Sequence, residues 1–262
     1  MIMDFHTHIK VSKRSPFMPS YFQEMIAEAK AAGLQAVALT EHFNTDRFMD
    51  VYNYLDEHYP YKHGYYEVDD FRVFPGMEID VKEVGHILFI GARDDIITIR
   101  KLLDKYTNKG HFISFSELLD IGESYELLKI GAHPFRESTP LHQLPVEQLR
   151  RLDAFDLNGK DLYSYNQMEY RKKLEELAEK VGLPIVGGSD THQFLQYGSI
   201  INHLANDCKT ITELKACIHA SNYQIQIADD LDLKVKAATL VKKYIKKYLA
   251  ENEKVAEQTV TM

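Results

Sequence analysis

The beginning of the chain constrains the possible folds more than any other segment. Residues 2–8 start with Ile2 and Met3 and end in His6-Thr7-His8, and this run is too short and too apolar at its start for an amphipathic helix. We predict a buried strand. Because successive side chains of a strand point to opposite faces, His6 and His8 share one face, about 6–7 Å apart along the chain. Two imidazoles at a strand end can hold one metal ion, although such a pair is more often an ordinary core or surface feature.

Composition restricts the classes of function. The 262 residues are 45% hydrophobic and 27% charged, which is typical of a globular protein large enough for one large or two small domains. A formal charge of −8 makes a long nucleic acid an unexpected partner, because nucleic-acid phosphates are bound through excess Lys and Arg. A small phosphorylated or otherwise anionic substrate remains open, since a few cations can dominate one pocket.

Cysteine content and hydropathy exclude other classes. Cys208 and Cys217 are the only cysteines, so neither a disulfide framework nor a thiolate metal site is predicted. No apolar run approaches the length of a membrane span, and no signal peptide is evident before His6. The expected location is therefore the cytoplasm, without membrane contact. The sequence carries no signal for the oligomeric state.

Apolar runs alternate with helical patterns along the chain. This alternation predicts an α/β fold with a parallel sheet, either open or closed into a barrel. In both architectures the functional groups lie where the strands end. Polar residues follow several different strands, which favours the barrel, because an open sheet has only one crevice of this kind. Without internal repeats or a Gly/Ser linker, a single domain over 1–262 is the simpler prediction.

Strand after strand is followed by histidine or a carboxylate, and only His86 lies within its predicted strand. The candidate metal ligands are His6, His8, His42, Glu78, His86, His133, Asp190 and His192. Imidazoles and carboxylates without thiolates suit Zn²⁺, Mn²⁺ or Fe²⁺. One tetrahedral ion cannot use so many ligands, so more than one metal is expected, with Glu78 as a bridge because a carboxylate has two oxygens. For any one of these residues alone, a helix cap or a partner for loop amides is the better explanation, but the whole set favours a site.

The order of these motifs resembles the PHP (polymerase and histidinol phosphatase) family. The motifs span residues 1 to about 200 and are His6-Thr7-His8, Thr40-Glu41-His42, Gly76-Met77-Glu78, Gly131-Ala132-His133-Pro134 and Gly188-Ser189-Asp190-Thr191-His192. The resemblance implies a distorted seven-stranded β/α barrel, a trinuclear metal centre at the strand C-termini and phosphoesterase activity. It also implies a division of the ligands: His6, His8, Glu78 and Asp190 around one metal, Glu78, His86 and His133 around a second, and His42 and His192 contributing to a third.

The sequence departs from the family pattern at two places. The family usually has an Asp or His several residues after the first motif, whereas residues 9–23 contain no Asp, Glu or His. The cations in that segment are Lys10, Lys13 and Arg14. We hypothesise that one of them replaces the missing ligand and faces the substrate phosphate; a solvated basic loop is the alternative. Two or three divalent ions are therefore expected, the third being weak, absent or held partly by substrate.

The second departure is Glu41, where the family usually has Asp. Its extra methylene is expected to shift His42, whose ring a neighbouring carboxylate would orient. Further along the chain, Arg136 follows His133 closely, and its planar guanidinium matches a phosphate, although a surface Arg in a charged loop is the alternative. Asn158 and Lys160 lie at a strand end that resembles a family motif lining the pocket, and we predict that they contact substrate.

The C-terminal part of the chain carries less of the resemblance. After core motifs within 1–205, a helical extension is predicted over 206–252, followed by a frayed tail over 253–262. Residues 234–249 have the pattern of an amphipathic helix rich in lysine. We expect this helix to pack on the barrel and close its bottom with the charges in water. A helix lying on a membrane surface is the alternative.

These observations predict a metal-dependent phosphoesterase that hydrolyses a small phosphomonoester, such as histidinol phosphate or a nucleotide, through a metal-bound hydroxide. His42 or His192 would protonate the leaving oxygen, and Arg136 would stabilise the phosphoryl oxygens. Two alternatives remain. An amidohydrolase-type barrel that cleaves C–N bonds also begins with two histidines, but it usually bridges its metals with a Lys. A non-catalytic metal- or nucleotide-binding regulatory module is kept open by the missing acid after His8.

Overall fold

The structure is a computed structural model that describes the backbone of residues 1–260 and the side chains of residues 1–252. Its strands are β1 Ile2–Thr7, β2 Ala36–Leu39, β3 Tyr61–Lys62, β4 Tyr65–Val68, β5 Phe71–Val81, β6 Gly85–Gly91, β7 Leu127–Ala132, β8 Ala154–Asn158, β9 Ile185–Gly188, β10 Ile200–Leu204 and β11 Tyr223–Ile227. Its helices are α1 Pro19–Ala31, α2 Met49–His58, α3 Arg93–Leu102, α4 Phe115–Gly122, α5 Val146–Leu149, α6 Gly159–Ser164, α7 Gln167–Val181, α8 Ile211–His219 and α9 Leu231–Val260.

Seven of these strands form the wall of a barrel, in the order β1-β2-β5-β6-β7-β8-β9. The wall closes at its carboxyl end, where Thr7 pairs with Thr191 just beyond β9. Two backbone hydrogen bonds of 2.8 Å join the same segments, from Asp190 N–H to the His6 carbonyl and from His8 N–H to the Thr191 carbonyl. The predicted α/β barrel with seven strands in its wall is confirmed.

The wall of the barrel is parallel, as expected, at every pairing except the two made by β6. β1, β2 and β5 run parallel, as do β7, β8 and β9, but β6 is antiparallel to both of its neighbours. The three residues between β5 and β6 form a tight turn, and a tight turn can join only antiparallel strands. The reversal brings His86, near the start of β6, opposite Asp80, near the end of β5.

The apolar residues form two clusters, one inside the barrel wall and one between the wall and the helices around it. The inner cluster includes Phe5, Ala38, Phe74, Leu88, Ile130 and Val186. The pairing of β1 with β2 shifts between Asp4 and Thr7, which interrupts the regular alternation of side chains along β1. Phe5 can therefore pack in the inner cluster while His6, the next residue, faces the carboxyl end of the same interior.

Different helices cover the two ends of the barrel. α8 closes the amino end, because Ile211, Leu214 and Ile218 join the inner cluster. α9 instead passes over the carboxyl end, against α6 and the 3₁₀ turn Phe194–Gln196. The C-terminal helix does pack on the barrel as expected, but the expectation that it closes the bottom is wrong.

The buried face of α9 also differs from the one that the sequence pattern predicts. Its contact face consists of Leu231, Val235 and Ala238, whereas Tyr244 and Tyr248, which the sequence pattern places on the apolar face, are exposed. The backbone of α9 continues to Val260, and 261–262 lie outside the described residues, so the frayed tail over 253–262 stays a prediction. Within the described part of the chain, no helix has both the length and the apolar character needed to cross a membrane.

Candidate metal centre

Imidazoles and carboxylates converge at the carboxyl end of the barrel. β1 carries His6 and is followed by His8, while β5 and β6 carry Glu78 and His86. The segments after β2, β7 and β9 supply the rest, namely His42, His133, Asp190 and His192. The side chains of His42, His86 and His192 are 11–13% exposed, and those of the other five are at most 4% exposed. The fold therefore brings together all eight residues predicted as ligands.

Glu78 lies at the centre of the cluster, and its two carboxylate oxygens face different imidazoles. Oε1 lies 2.5 Å from Nδ1 of His86 and 3.1 Å from Nε2 of His133. Oε2 lies 2.9 Å from Nδ1 of His42, 3.3 Å from Nε2 of His8 and 3.7 Å from Nε2 of His6. Burial favours the neutral acid, but the surrounding imidazoles lower the pKa of Glu78 well below its usual value. This is the arrangement expected of a carboxylate that bridges two cations.

The environment of His6 fixes which of its nitrogens can bind a cation. Nδ1 lies 2.9 Å from Oδ2 of the buried Asp156, and a carboxylate oxygen requires a donor there. In the neutral ring the proton is then on Nδ1, and the lone pair of Nε2 points toward Glu78, Asp190 and Nε2 of His8, which lies 3.2 Å away. Lone pairs that face one another repel, and a cation between them removes this repulsion. A carboxylate that accepts a hydrogen bond from the other ring nitrogen is the usual partner of a metal-binding histidine.

Without a metal ion the same position favours a proton. Burial works against the charged ring, but attraction to Asp190 and Glu78 raises the pKa of His6 well above its ordinary value. The pKa of His8 is also raised against burial, by Asp190 and Glu41. Both shifts show that the carboxylates make this point strongly attractive to positive charge.

Asp190 also divides its oxygens between two tasks. Oδ1 faces Nε2 of His8 at 3.5 Å and Nε2 of His6 at 3.8 Å, while Oδ2 accepts a 2.8 Å hydrogen bond from the Arg136 guanidinium. Its backbone lies in the left-handed region with φ of 55°, and that of His133 lies there too with φ of 31°. Such backbone conformations cost about 1 kcal/mol or more each in non-glycine residues, and they cluster at functional sites.

The ligand atoms fall into three sets, within each of which they lie no more than 4.8 Å apart. The sets are His6 with His8 and Asp190, Glu78 with His86 and His133, and His8 with His42 and His192. Glu78 Oε2 and His42 Nδ1 make no hydrogen bond in spite of their 2.9 Å separation, and His8 Nδ1 also has no partner among the described residues. Buried polar atoms usually have partners, so these orphaned atoms fit a centre that binds divalent cations.

Polar groups behind the candidate ligands hold several rings in place. Nε2 of His86 contacts Oδ1 of Asp80 at 3.0 Å, and the other oxygen of Asp80 is paired with Lys13 at 2.9 Å. Burial opposes protonation of His86, but Glu78 and Asp80 raise its pKa to about 9. In the segment after β7, the hydroxyl of Thr139 lies 3.1 Å from Nδ1 of His133.

Glu41 occupies a different position from the one expected. Its carboxylate accepts the backbone N–H groups of Lys10 and His42 and lies 3.8 Å from Nδ1 of His8. The side chain therefore contacts the backbone of His42 and faces the ring of His8. The longer Glu spans from β2 to the segment after β1, which a residue-by-residue reading of the motif does not predict.

The three cations after the first motif lie in different environments. The Lys10 ammonium is buried and donates to the Thr45 hydroxyl at 2.9 Å and to the Asp46 carbonyl at 2.5 Å. Lys13 pairs with Asp80 behind His86, and Arg14 is exposed. Within the described residues, Lys13 is thus the one of the three that is connected to a candidate ligand, and the contact is made through a carboxylate.

Arg136 and Asn158 are bonded mainly to other protein groups. Besides Asp190, the Arg136 guanidinium donates to Asp161 at 2.8 Å and to the Asn158 side-chain carbonyl at 3.1 Å. The Asn158 carbonyl also accepts the first N–H groups of α6, and its amide donates to Asp156 at 2.9 Å. These contacts make both residues positioning groups, with Arg136 holding Asp190 and Asn158 holding the carboxylate behind His6.

A cavity of about 380 Å³ opens beside Asp190 and His192. Lys160, predicted from the sequence, lies on its wall, and α9 contributes Lys242, Lys243 and Lys246, which were not predicted. Burial, together with Lys160 and Lys246, lowers the pKa of Lys242 to about 8 against the attraction of Asp190. The lysine-rich pattern of α9 was visible in the sequence, but its position over the site was not.

Comparisons with known proteins agree with this architecture. Neither family models nor curated protein sequences give a match to the chain. Among solved structures, PsfC from Pseudomonas syringae PB-5123 is similar with a TM-score of 0.77 at 19% identity, covering 93% of this chain and 98% of PsfC. The lesion-specific endonuclease PfuEndoQ from Pyrococcus furiosus is similar with a TM-score of 0.63 at 18% identity, covering 86% of this chain and 58% of the endonuclease.

A complex of Endonuclease Q with a 27-mer duplex that has an abasic lesion at the active site is also similar, with a TM-score of 0.61 at 19% identity. The match covers 87% of this chain and 58% of that chain. At such identities the likeness concerns the fold. The chain has a PHP-like barrel fold, as the order of its motifs predicted.

Proposed function

We propose that this protein is a metal-dependent phosphoesterase acting on a small phosphomonoester. The observation that carries the proposal is the position of Glu78, whose two oxygens face two different groups of buried imidazoles. A structural role does not explain orphaned nitrogens and carboxylate oxygens packed this closely. We further propose that Zn²⁺, Mn²⁺ or Fe²⁺ ions, two or three per chain, are held by the eight ligands predicted from the sequence. The donor set is rich in imidazole and carboxylate and lacks thiolate, which suits these ions.

Divalent cations in this centre would neutralise a bound phosphoryl group and acidify water for attack on it. The chain itself orients the donors: Asp156 keeps the Nε2 lone pair of His6 directed inward, and Arg136 fixes Asp190. Burial lowers the pKa of His42 to about 4, and burial and His8 lower that of His192 well below its usual value. A neutral imidazole is the form that binds a metal, so these shifts support ligation for both rings more than proton donation to a leaving group.

The substrate class follows from size and charge. The cavity beside the centre has the volume of a small-molecule site and a wall of lysines, which favours a compact phosphorylated molecule. One protein of similar fold is an endonuclease whose structure with duplex DNA is known, so phosphodiesters belong in the substrate screen beside monoesters. For the chain as a whole, the charge of −8 still disfavours long nucleic acids.

The test combines elemental analysis with hydrolysis assays. Purified protein supplied with Mn²⁺, Zn²⁺ or Fe²⁺ is assayed on p-nitrophenyl phosphate, bis-p-nitrophenyl phosphate and p-nitroacetanilide. We expect turnover of the monoester, and we expect Asp190→Asn or His6→Ala to abolish both metal retention and turnover. His219→Ala is the matched control, because His219 is half exposed on α8 at the opposite end of the barrel. Undiminished turnover in either site variant would refute the proposal, and cleavage of the anilide alone would favour the amidohydrolase alternative.

A further inference from the structure

α9 turns one side of the candidate metal centre into a strongly cationic wall. Lys242, Lys243 and Lys246 lie on the part of this helix that lines the cavity beside Asp190 and His192. Lys160, one residue into α6, contributes a fourth ammonium group to the same cavity. We call these four residues the lysine wall. None of the four lysines is a proposed metal ligand, although the proposed ligands Asp190 and His192 line the same cavity.

Among the residues whose side chains are described, five of the nine other lysines on α-helices form an ion pair with a carboxylate, whereas none of the lysine wall does. On the helices around it, Lys173 pairs with Glu169, Lys234 with Asp230 and Lys247 with Glu251, each one turn apart. Within the part of the chain whose side chains are described, no carboxylate forms an ion pair with Lys160, Lys242, Lys243 or Lys246. Four neighbouring cations repel one another, and a fold with a net charge of −8 has ample carboxylates to pair with them. Their grouping at a cavity is explained by an anion that binds between them.

The lysine wall continues into a second cavity. Lys246 also lines an adjoining cavity of about 440 Å³, whose other wall includes Lys13 and Arg14. The cationic surface therefore begins at Asp190 and His192 and continues past α9 toward the segment that follows β1. A single phosphoryl group at the metal centre would not fill this space or meet its charge.

We propose that the lysine wall is a subsite for a second phosphate group of the substrate. This inference rests on the proposed phosphoesterase function and names the substrate class of that site: molecules that carry one phosphate at the metal centre and another within reach of α9. The second phosphate has two possible sources, a small bisphosphorylated metabolite or the next nucleotide of a short strand. Both present the same chemistry to the ammonium groups.

The experiment compares substrates that differ by one phosphate, using the metal-loaded full chain. The first pair is fructose 1-phosphate and fructose 1,6-bisphosphate, and the second is thymidine 5′-monophosphate and the 5′-phosphorylated dithymidine dinucleotide. We expect kcat/KM to be at least about tenfold higher for the doubly phosphorylated member of one pair, since charge-assisted hydrogen bonds contribute that much. Lys242→Ala and Lys246→Ala should reduce this preference toward one, because they lower kcat/KM for the doubly phosphorylated member more than for the singly phosphorylated one. Lys247→Ala, on the outer side of the same helix, is the matched control.

The outcomes separate the subsite from the function. If the sugar pair shows a preference that the lysine variants remove, the subsite is supported and the second phosphate belongs to a small metabolite. If only the nucleotide pair shows this result, the second phosphate belongs to a short nucleic-acid strand. A preference that survives both variants, or no preference in either pair, overturns the subsite. Turnover of p-nitrophenyl phosphate would still support the phosphoesterase function in that case. If no phosphoester is turned over, the proposed function is refuted. The subsite is then tested separately, by measuring the binding of the same pairs by calorimetry. Tighter binding of the doubly phosphorylated member that depends on Lys242 supports the subsite, and equal affinities overturn it.

Discussion

Removing the charge behind His6 gives the most direct test of the candidate metal centre. Asp156 is 1% exposed, accepts from Nδ1 of His6 at 2.9 Å and also accepts from the Asn158 amide. In Asp156→Asn the side chain keeps its shape, and an amide oxygen can still accept the His6 proton. What is lost is the charge, which makes the lone pair of Nε2 less basic and its direction less fixed.

The size of the effect can be worked from the hydrogen bond. A hydrogen bond to a charged group contributes about 1.5–3 kcal/mol and a neutral one about 0.5–1.5 kcal/mol, so the exchange costs about 1–1.5 kcal/mol. Because about 1.4 kcal/mol corresponds to a factor of ten, metal affinity should fall by about tenfold. This agrees with the range of about 10–100-fold for substitutions behind metal ligands. Activity at saturating metal should recover most of the wild-type value, since the ligands themselves remain.

The assay is competition for Zn²⁺ or Mn²⁺ against a chelator of known affinity, followed by elemental analysis of the dialysed protein. Asp153→Asn is the matched control: Asp153 directly precedes the same strand, accepts the Lys129 N–H and lies at the opposite end of the barrel. The control should bind metal as the wild type does. If Asp156→Asn binds metal with wild-type affinity, His6 is not a ligand supported by this carboxylate, and the argument for the tautomer of His6 fails.

Three further predictions follow from individual contacts. Glu78→Gln should remove at least two metal ions per chain at once, because each oxygen faces a different donor set; loss of a single ion in elemental analysis would contradict a bridge. Gly188→Ala should unfold at a lower temperature than the wild type and bind metal poorly, because a Cβ there would lie 2.5 Å from both Asp156 Oδ1 and His6 Cβ. Gly110→Ala is the control and should behave as the wild type in thermal melts, because a Cβ at that position meets nothing within 4 Å. Burial raises the pKa of Asp4 from 3.8 to about 7, so the folded state binds a proton more tightly than the unfolded state. Wild type should therefore lose stability relative to Asp4→Asn as pH rises from 4 to 7, by at most roughly 4 kcal/mol, and no further above pH 7; equal pH profiles of the unfolding midpoint would refute this.

The parts of the fold and site that the sequence predicts are those coded locally. Strand-then-ligand patterns such as 34–42 and 127–133 show both the element and the point where its side chains meet the others, because parallel strands end on the same side. Glu78 was predicted to be a bridge from its chemistry alone, and its two oxygens do face different imidazoles. The helices of 167–181 and 211–219 also follow directly from their N-caps, Asn166 and Thr210, whose side chains accept the backbone N–H at the third helical residue.

The remaining features depend on contacts between distant segments. Asp156 lies 150 residues from His6, and nothing in the spacing of either indicates that they meet. The tyrosine-rich segment 59–68 forms the β3–β4 hairpin, because β4 can pair with the edge of β5, and no local pattern in the segment specifies that pairing. The position of α9 depends on its contacts with α6 and the 3₁₀ turn Phe194–Gln196, which are distant from it in sequence. An amphipathic pattern predicts that a helix packs on something, but it does not identify the surface.

The seam that closes the barrel is built from the same residues as the candidate metal centre. The His6 carbonyl accepts from Asp190 N–H, and the Asp4 carboxylate accepts the N–H groups of both His6 and Ser189. These bonds fix the first and last strands of the wall at the level where the His6 and Asp190 side chains face each other across 3.8 Å. A cation held between these side chains draws together the two strands that the seam joins, so its binding energy contributes to folding. Conversely, the seam sets the separation of the donors before any ion arrives. Closure of the barrel and the spacing of His6 and Asp190 therefore depend on the same hydrogen bonds, which join segments from both ends of the barrel sequence.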